Sequence, residues 1–428
     1  MCIDRYVTEY EVGPLYIKRL AYICQNFDIT QKVIEDLLEL IRKPDSPYQN
    51  YKDTPSLVAL LPESVRAKYS LEQGNSVAYD DQIAQIAKHD PSDAVFEQIL
   101  DLLHRRTVDI LMKTGSSDSV SDNAAFYYSL GPELSSLSKK WSLRELQKFI
   151  IYKAYDGSLA TCGLFLRRKL QQALEFERDD ESDEDDKMAV DERVLDPEEA
   201  IAYWNCRWYL LYANFLGSDY QGVAEEYFRL EQEPAISGVC AKDVLRNSYS
   251  NELVFKDYLL RTVCFSILMV EKIQDLDSRW TELLKETLAA DIQLKTLVND
   301  YKKCRFKQLK TTLDTFQNEF DHDEQLSQGF RFWRQTFHHK IDLFYLSMMK
   351  RVSFDHIEQV LGTSKQELVK LVMLFKLRVK IDESCNVIEF FPANDQQDVL
   401  QHVNALNESV VAEMRALEVN KMVREAFE

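Results

Sequence analysis

The start of the chain carries apolar residues at the three- and four-residue spacing of amphipathic helices. The positions of two successive stripes are Ile17, Leu20, Cys24 and Phe27, and then Val33, Leu37, Leu40 and Ile41. Thr30 lies between the stripes, where its side chain can cap the second helix. The pattern therefore predicts a helical hairpin in the N-terminal region.

Helical pairs continue through the middle of the chain. In one pair, an apolar segment at residues 211–216 is separated by a turn at 217–220 from a segment at 223–228 that faces back. A second pair covers residues 294–301 and 306–316. These pairs loosely resemble tetratricopeptide (TPR) repeats, whose neighbours stack and share one continuous core. We therefore expect an all-α solenoid of TPR-like helical pairs.

The pattern changes towards the C-terminal end. A helical stripe at residues 337–348 is followed by a short amphipathic helix that Ser353 can cap and Gly362 can end. A third helix then places apolar residues inward between Leu368 and Phe375. Three helices in close succession are therefore predicted before residue 376.

Two capping boxes are available for the start of the third helix. Thr363 with Gln366 offers one, and Ser364 with Glu367 offers the other. In either, the hydroxyl accepts from the backbone three residues later while the long side chain reaches back. Both alternatives predict that the helix begins within a residue or two of position 364.

A period of two replaces the helical period after residue 376. Apolar and charged side chains alternate at residues 377–382, a turn follows at 383–386, and a second strand is predicted at Val387–Phe391. Three helices followed by a small β-hairpin indicate a winged helix. No further strand follows in the sequence, so the second strand is expected to form a sheet edge with unpaired backbone groups. Val387, Glu389 and Phe391 are therefore predicted to contact a partner that adds a strand.

The remaining residues predict one long terminal helix. Its apolar stripe runs through Val399, Val403, Leu406, Val410 and Leu417. A stripe of this kind would be a liability in water, so it must pack against something. We expect these five residues to contact a partner subunit, while packing on the chain's own body is the alternative.

Composition agrees with long helices. The 428 residues include only eleven glycines and ten prolines, against average usage of about 7% and 5%. Because so few positions interrupt helices, an all-β fold and a glycine-rich nucleotide-binding enzyme are both disfavoured.

Acidic residues are concentrated in one segment. The formal net charge of −19 disfavours binding to nucleic acid and to anionic membranes. Fourteen acidic and three basic residues lie between Glu175 and Glu199, where like charges repel and little apolar surface can be buried. We predict a disordered insertion at about residues 177–195. Its role is that of a solvated loop or, because acids flank Ser182, of a phosphorylation site.

The sequence lacks several common catalytic and metal-binding motifs. The eight cysteines are scattered without a CxxC pair, as in cytosolic or nuclear proteins with reduced thiols. His338 and His339 are adjacent and are interpreted as helix surface, and no HExxH, GxSxG or glycine-rich phosphate loop is present. We predict a protein that is not an enzyme, with no catalytic, cofactor-binding or metal-binding residues.

Targeting and membrane signals are also missing. No apolar segment follows the first residues, and the longest apolar stretch, Val263–Val270, is far shorter than the about twenty residues of a membrane span. We therefore expect the cytoplasm and the nucleus, without membrane association.

A cluster of basic residues in the predicted winged helix offers a different function. These residues are Lys350, Arg351, Lys365, Lys370, Lys376, Arg378 and Lys380. Winged helices often bind DNA, so a nucleic-acid surface is one interpretation. The alternative, favoured by the acidity of the chain, is a solvated face or one that meets an acidic partner.

The order of these predicted elements resembles the PCI family of scaffold subunits. The segment that carries the resemblance is Leu297-x3-Tyr301-x4-Phe306-x2-Leu309. The hairpin segment Lys380-Ile381-Asp382 is also typical of the family. The resemblance covers about residues 200–395 and implies a solenoid followed by a winged helix with a small β-hairpin and a long terminal helix.

The resemblance also implies a division of the chain. An N-terminal helical region is expected at residues 1–140 and a helical-repeat solenoid at 141–300, the latter containing the acidic insertion. The PCI winged-helix region is expected at 300–393, and a C-terminal bundling helix at 394–428.

Within the family, the segment Ile17–Ile23 is most similar to a subunit of the COP-nine signalosome. That resemblance implies a non-catalytic scaffold of a complex that removes Nedd8 from cullins and so regulates cullin-RING ubiquitin ligases. Its partners would be other PCI subunits and the zinc isopeptidase subunit, with cullins as a further class. A PCI subunit of the proteasome lid or of translation initiation factor three, and a nucleic-acid-binding PCI protein of mRNA export, are the alternatives.

Overall fold

Most of the chain is described by a computed structural model. The described residues are 9–43, 46–69, 79–86, 93–115, 132–174, 195–382 and 384–390. They are mostly helical, with nineteen α-helices and one small antiparallel sheet near the C-terminal end. The helical class and the small C-terminal β element are thereby confirmed. The acidic insertion at 177–195, apart from its last residue, and the terminal helix predicted at 394–428 lie outside the described residues.

The chain divides into two compact units. The first comprises residues 1–210 and 230–256, and the second comprises residues 211–229 and 257–428. The four-part division expected from the resemblance stays a prediction.

The described helices before residue 250 have the following bounds: α1 Pro14–Asn26, α2 Gln31–Arg42, α3 Thr54–Ala59, α4 Glu63–Arg66, α5 Tyr79–Ile86, α6 Asp93–Thr114, α7 Pro132–Tyr155, α8 Gly163–Leu174, α9 Pro197–Leu216, α10 Tyr220–Gln232 and α11 Ala241–Asp243. The predicted N-terminal hairpin corresponds to α1 and α2 and is confirmed. Thr30 occupies the N-cap position of α2 with an extended backbone, but its side chain makes no capping hydrogen bond.

The described helices after residue 250 all contribute to the second unit: α12 Lys256–Val270, α13 Leu276–Arg279, α14 Glu282–Ala290, α15 Ile292–Lys302, α16 Phe306–Phe320, α17 Glu324–Ser347, α18 Phe354–Leu361 and α19 Lys365–Leu374. The predicted pairs at 211–228 and 294–316 correspond to parts of α9 and α10 and to α15 and α16, so both are confirmed.

Stacked and tilted aromatic rings form the core of the second unit. The ring of Phe265 on α12 lies 4.8 Å from that of Trp333 on α17 and 5.4 Å from that of Phe316 on α16, measured between centroids. Trp333 is fully buried and donates its indole N–H to the carbonyl of Phe265 at 3.0 Å. Aromatic pairs contribute beyond the area they bury, so this cluster joins three helices into one core.

The C-terminal helix–sheet region, residues 324–390, follows the predicted order of elements. Ser353 caps α18 by accepting from the N–H of His356, and Gly362 ends that helix with a positive φ of 68°. Of the two capping boxes, Ser364 with Glu367 forms at the start of α19. Local sequence signals thus position both short helices.

The sheet corrects one prediction. It contains three strands, β1 Arg351–Ser353, β2 Val379–Asp382 and β3 Val387–Phe390, in the order β1–β3–β2. β3 was expected to be an edge strand, but it lies in the centre and pairs antiparallel on both sides. The expectation was wrong because β1, which precedes α18, occupies the edge that the sequence pattern left open.

Candidate interaction surface

A mostly buried polar bridge fixes the segment between α18 and α19 to α16 and α17. Lys310 on α16 donates to the carboxylate of Asp342 on α17 at 2.8 Å and to the hydroxyl of Thr363, which lies between α18 and α19, at 2.7 Å. The Thr363 hydroxyl in turn donates to Asp342 at 3.1 Å. Burial raises the pKa of Asp342, and the Lys310 ammonium opposes that shift. The three groups satisfy one another, so they hold three segments in one arrangement.

Histidine side chains also pack within this region. The ring of His339 lies 5.7 Å from that of Phe375, which follows α19. His338 is half-buried as well, and burial lowers its pKa to about 3. The two histidines are therefore only partly at the helix surface, since Phe375 packs against His339 and both side chains are half-buried.

The two faces of the sheet differ in character. On one face, Ile388 of β3 is fully buried and lies opposite Val352 of β1 and Ile381 of β2. On the other face, Glu389 lies opposite Arg351 and Lys380, and all three side chains are exposed. The outer face therefore presents a row of alternating charge, with the acid in the middle.

This row predicts a measurable effect of charge reversal. Glu389→Lys should lower the free energy of unfolding of the second unit by about 1 kcal/mol, because it replaces two favourable cross-strand neighbours with two like charges. Urea unfolding at low salt measures the change, and Glu389→Gln, which only removes the charge, should cost about half as much. An unchanged stability in Glu389→Lys would show that the charges of this exposed row do not stabilise the sheet.

The turn of the hairpin is organised by Asp382. Its carboxylate accepts from the hydroxyl and N–H of Ser384 and from the N–H of Cys385, at 2.6, 3.1 and 3.2 Å. These hydrogen bonds, with the Ser384 hydroxyl first, hold the pKa of Asp382 below its ordinary value. Asn386, with a positive φ of 53°, donates its side-chain amide to Asp355 of α18. The turn is thus tied to the start of α18.

The predicted contact residues fall into two groups. Val387 is half-buried opposite Ser353 and Asp382, and Glu389 lies in the exposed row. The others lie outside the described residues: Phe391, Val399, Val403, Leu406, Val410, Leu417 and the candidate phosphorylation site Ser182. Contact with a partner stays a prediction for both groups.

The basic residues grouped from the sequence as a candidate nucleic-acid surface are all exposed. The seven are Lys350, Arg351, Lys365, Lys370, Lys376, Arg378 and Lys380. Lys365 contacts the side-chain carbonyl of Asn386 at 3.4 Å and lies over the ring of Phe354. No ion pair within 4 Å joins any of the seven to a carboxylate of the described residues. Their charge therefore faces solvent.

The first unit carries a cleft of about 550 Å³ between charged side chains. Lys148 pairs with the buried carboxylate of Glu252 at 2.9 Å, and Arg144 pairs with Glu198. His104 lies in the lining and shares a hydrogen bond of 2.9 Å with the hydroxyl of Tyr152. Burial lowers the pKa of His104 to about 4 and raises that of Tyr152, so both are uncharged at neutral pH. This pair joins α6 to α7.

Two further observations concern the described residues alone. They contain no group of three or more His, Cys, Asp or Glu side chains arranged to hold a metal ion. None of their helices combines the length and the apolar character that crossing a bilayer requires.

No family model matches the chain, and no curated protein matches it significantly.

Proposed function

We propose that the chain is a non-catalytic scaffold subunit of a COP-nine signalosome-like complex. Such a complex removes Nedd8 from cullins and so regulates cullin-RING ubiquitin ligases. The resemblance of Ile17–Ile23 favours subunit 1, or its budding-yeast counterpart, subunit 11. The catalytic step is assigned to the zinc isopeptidase subunit, and the other PCI subunits are the direct partners, in the cytoplasm and the nucleus.

The observation that carries this proposal is the bridge of Lys310, Asp342 and Thr363. A scaffold must present its assembly surface in a fixed orientation relative to its helical body. The bridge supplies that constraint within the second unit, because it joins α16 and α17 to the segment between α18 and α19. The helical elements followed by a three-stranded sheet are compatible with a solenoid and a winged helix.

Strand addition remains part of the proposal, at a different strand. Because β3 is paired on both sides, the strands with a free side within the described sheet are β1 and β2. An edge strand offers unpaired backbone groups to another chain. We therefore propose that a neighbouring winged helix pairs with β1 or β2, while Glu389 contributes only through its side chain.

A nucleic-acid-binding role is the second candidate, and the unpaired basic residues favour it. The net charge of −19 and the exposed acids Asp355 and Glu358 on α18 oppose it. A PCI subunit of the proteasome lid or of translation initiation factor three stays an alternative within the scaffold class.

Deletion of the gene tests the complex. The neddylated fraction of cullins should rise severalfold in the deletion strain, because the isopeptidase would lose its scaffold, whereas the purified chain alone should not cleave a neddylated cullin. Immunoblotting of cullins measures the fraction. An unchanged fraction would contradict the signalosome assignment, and mass spectrometry of the tagged protein would then identify the alternative complex from its subunits.

A matched pair of variants tests the terminal stripe. Leu406→Asp places a charge in the middle of the stripe and should remove the protein from the large complex, as should truncation after Asn394. Asn404→Asp adds the same charge outside the stripe and should be retained. Size-exclusion profiles of cell extract measure both. Retention of Leu406→Asp would show that the stripe packs on the chain's own body.

A further inference from the structure

The solvent-facing side of α19 carries apolar residues where a helix surface is normally polar. The buried side is formed by Leu368, Leu371, Val372 and Phe375. The opposite side carries Lys370, Met373 and Leu374 at the i, i+3 and i+4 positions that share one face of a helix. The inward stripe therefore does not account for Met373 and Leu374.

These two side chains are unusually open to solvent. Met373 is 72% exposed and its neighbour Leu374 is 54% exposed. Single apolar residues on a surface are ordinary, but contiguous apolar surface with a polar rim marks interaction sites. Methionine is flexible and adapts to differently shaped partners. The pair is therefore suited to receive apolar side chains of another chain.

Basic residues flank Met373 and Leu374 on both sides in the sequence. Lys370 lies one turn before them on the same face, while Lys376 and Arg378 follow them directly, and all three basic residues are exposed. None of the three is within 4 Å of a carboxylate in the described part of the chain. A ligand that covers Met373 and Leu374 would therefore meet three positive charges, which a partner with acidic side chains would neutralise.

The same helix disfavours nucleic acid. Glu367 occupies the first turn of α19, where its carboxylate accepts from the N–H and the hydroxyl of Ser364, both at 2.9 Å. The start of the helix is thus already occupied by an anion, where a phosphate would otherwise bind. Phosphate contacts also gain nothing from covering Met373 and Leu374. A polypeptide that carries both acids and apolar side chains fits all of these features.

We propose that Lys370, Met373, Leu374, Lys376 and Arg378 form a docking surface, the α19 surface, for an acidic polypeptide segment with apolar side chains from a partner protein. This inference goes beyond the scaffold function, because it assigns a site that neither the sheet edges nor the terminal stripe supplies. Binding at this surface can be measured with the isolated full chain, without the other subunits.

Fluorescence anisotropy with defined probes tests the proposal. The probe is a fluorescein-labelled synthetic peptide of about twelve residues, the length of a short recognition segment. Its leucines are spaced three and four residues apart, so that they share one face of a helix, and glutamates occupy the other positions. A second peptide replaces every leucine with serine, and a labelled DNA duplex of about twelve base pairs supplies the third probe. We expect the leucine–glutamate peptide to bind at least about tenfold more tightly than either of the others.

Variants of the α19 surface separate the contribution of its apolar side chains from that of its basic side chains. The double variant Met373→Ser/Leu374→Ser should lower the affinity for the leucine–glutamate peptide by about tenfold, since two apolar contacts are lost. Ile292→Ser, which alters a 77% exposed residue at the start of α15, is the matched control and should not change the affinity.

Lys376→Gly tests the charge without endangering the fold. Lys376 has a positive φ of 51°, a conformation that glycine adopts without steric cost. This variant should melt no lower than the wild type while binding the peptide severalfold more weakly and with a shallower dependence on salt.

Three results would overturn the proposal. The first is no detectable binding of the leucine–glutamate peptide. The second is equal binding of the serine peptide, which would remove any role for Met373 and Leu374. The third is that the DNA duplex binds more tightly than the leucine–glutamate peptide and that this binding is lost in Lys376→Gly, which would identify a nucleic-acid surface. None of these results bears on entry into the complex, so failure here is distinguishable from failure of the scaffold function.

Discussion

Replacing Lys340 with methionine is expected to lower the stability of the second unit by about 3 kcal/mol. The ammonium of Lys340 is buried on α17 and donates to the carbonyls of Leu268, Met269 and Glu271 at 2.8, 2.8 and 3.0 Å. Two of these carbonyls belong to the last turn of α12, where helical carbonyls have no partner within the helix. Each buried carbonyl left without a donor costs about 1–3 kcal/mol, while removing the buried charge offsets part of the total.

The effect of Lys340→Met should also depend on pH. Burial lowers the pKa of Lys340 to about 7, with Glu271 opposing the shift, whereas an unfolded lysine titrates near 10.5. Between these values the unfolded chain binds more protons than the folded chain, so the stability that Lys340 contributes rises with pH. The difference between wild type and Lys340→Met should therefore be larger at about pH 9 than at about pH 6.

Hydrogen exchange measured by mass spectrometry suits this test, because it reports the α12 peptides separately from the first unit. Lys303→Met is the matched control: Lys303 is exposed in the same unit, and its replacement should change the protection of α12 by less than about 0.5 kcal/mol. Unchanged protection of α12 in Lys340→Met would contradict the capping role, and a pH-independent loss would contradict the lowered pKa.

The features that the sequence predicted correctly depend on residues close together in the chain. Ser353 and Gly362 set the two ends of α18 because capping needs only neighbours within a few positions. The inward stripe of α19 repeats at helical spacing and is buried as expected. The choice of Ser364 over Thr363 as the cap needed the structure, since Thr363 is used instead in the bridge with Lys310 and Asp342.

The features that escaped prediction depend on distant residues. β1 has three residues and only Val352 is buried, so no alternating pattern distinguishes it from a loop. Its pairing partner β3 begins more than thirty residues later, after two helices, and that pairing decides which strand is central. The exposure of Met373 and Leu374 was not predicted either, because the helical stripe identifies the inward residues but not how open the opposite side of α19 is.

Lys18 and Arg19, both on α1, have a structural role. Arg19 on α1 is buried and donates to the carbonyls of Glu252 and Leu253, the first at 3.1 Å. Its guanidinium lies 4.3 Å from the ring centroid of Tyr10. Lys18 donates to the carbonyl of Tyr155, the last residue of α7, at 2.7 Å. These two bases thus tie α1 to segments far apart in sequence within the first unit.

Arg19→Met should therefore loosen the first unit by about 3 kcal/mol. Two buried carbonyls lose a charged donor, and hydrogen bonds from charged groups contribute about 1.5–3 kcal/mol each. The stack of the guanidinium on Tyr10, a ring that itself lies 3.8 Å from that of Phe255, is lost as well. Faster hydrogen exchange in α1 and in residues 249–255, with the second unit unchanged, is the expected observation.

Lys18→Met provides the matched comparison for this loss. Lys18 is only half-buried, so water can replace its hydrogen bond to Tyr155, and about 1 kcal/mol or less is expected. If both variants lost protection equally, burial of the guanidinium would not be what stabilises α1. If Arg19→Met retained full protection but failed to enter the proposed complex, Arg19 would act at a partner surface instead. The predicted ranking, with Arg19 well above Lys18 and the effect confined to the first unit, follows from the burial of Arg19 and its contacts with Glu252, Leu253 and Tyr10.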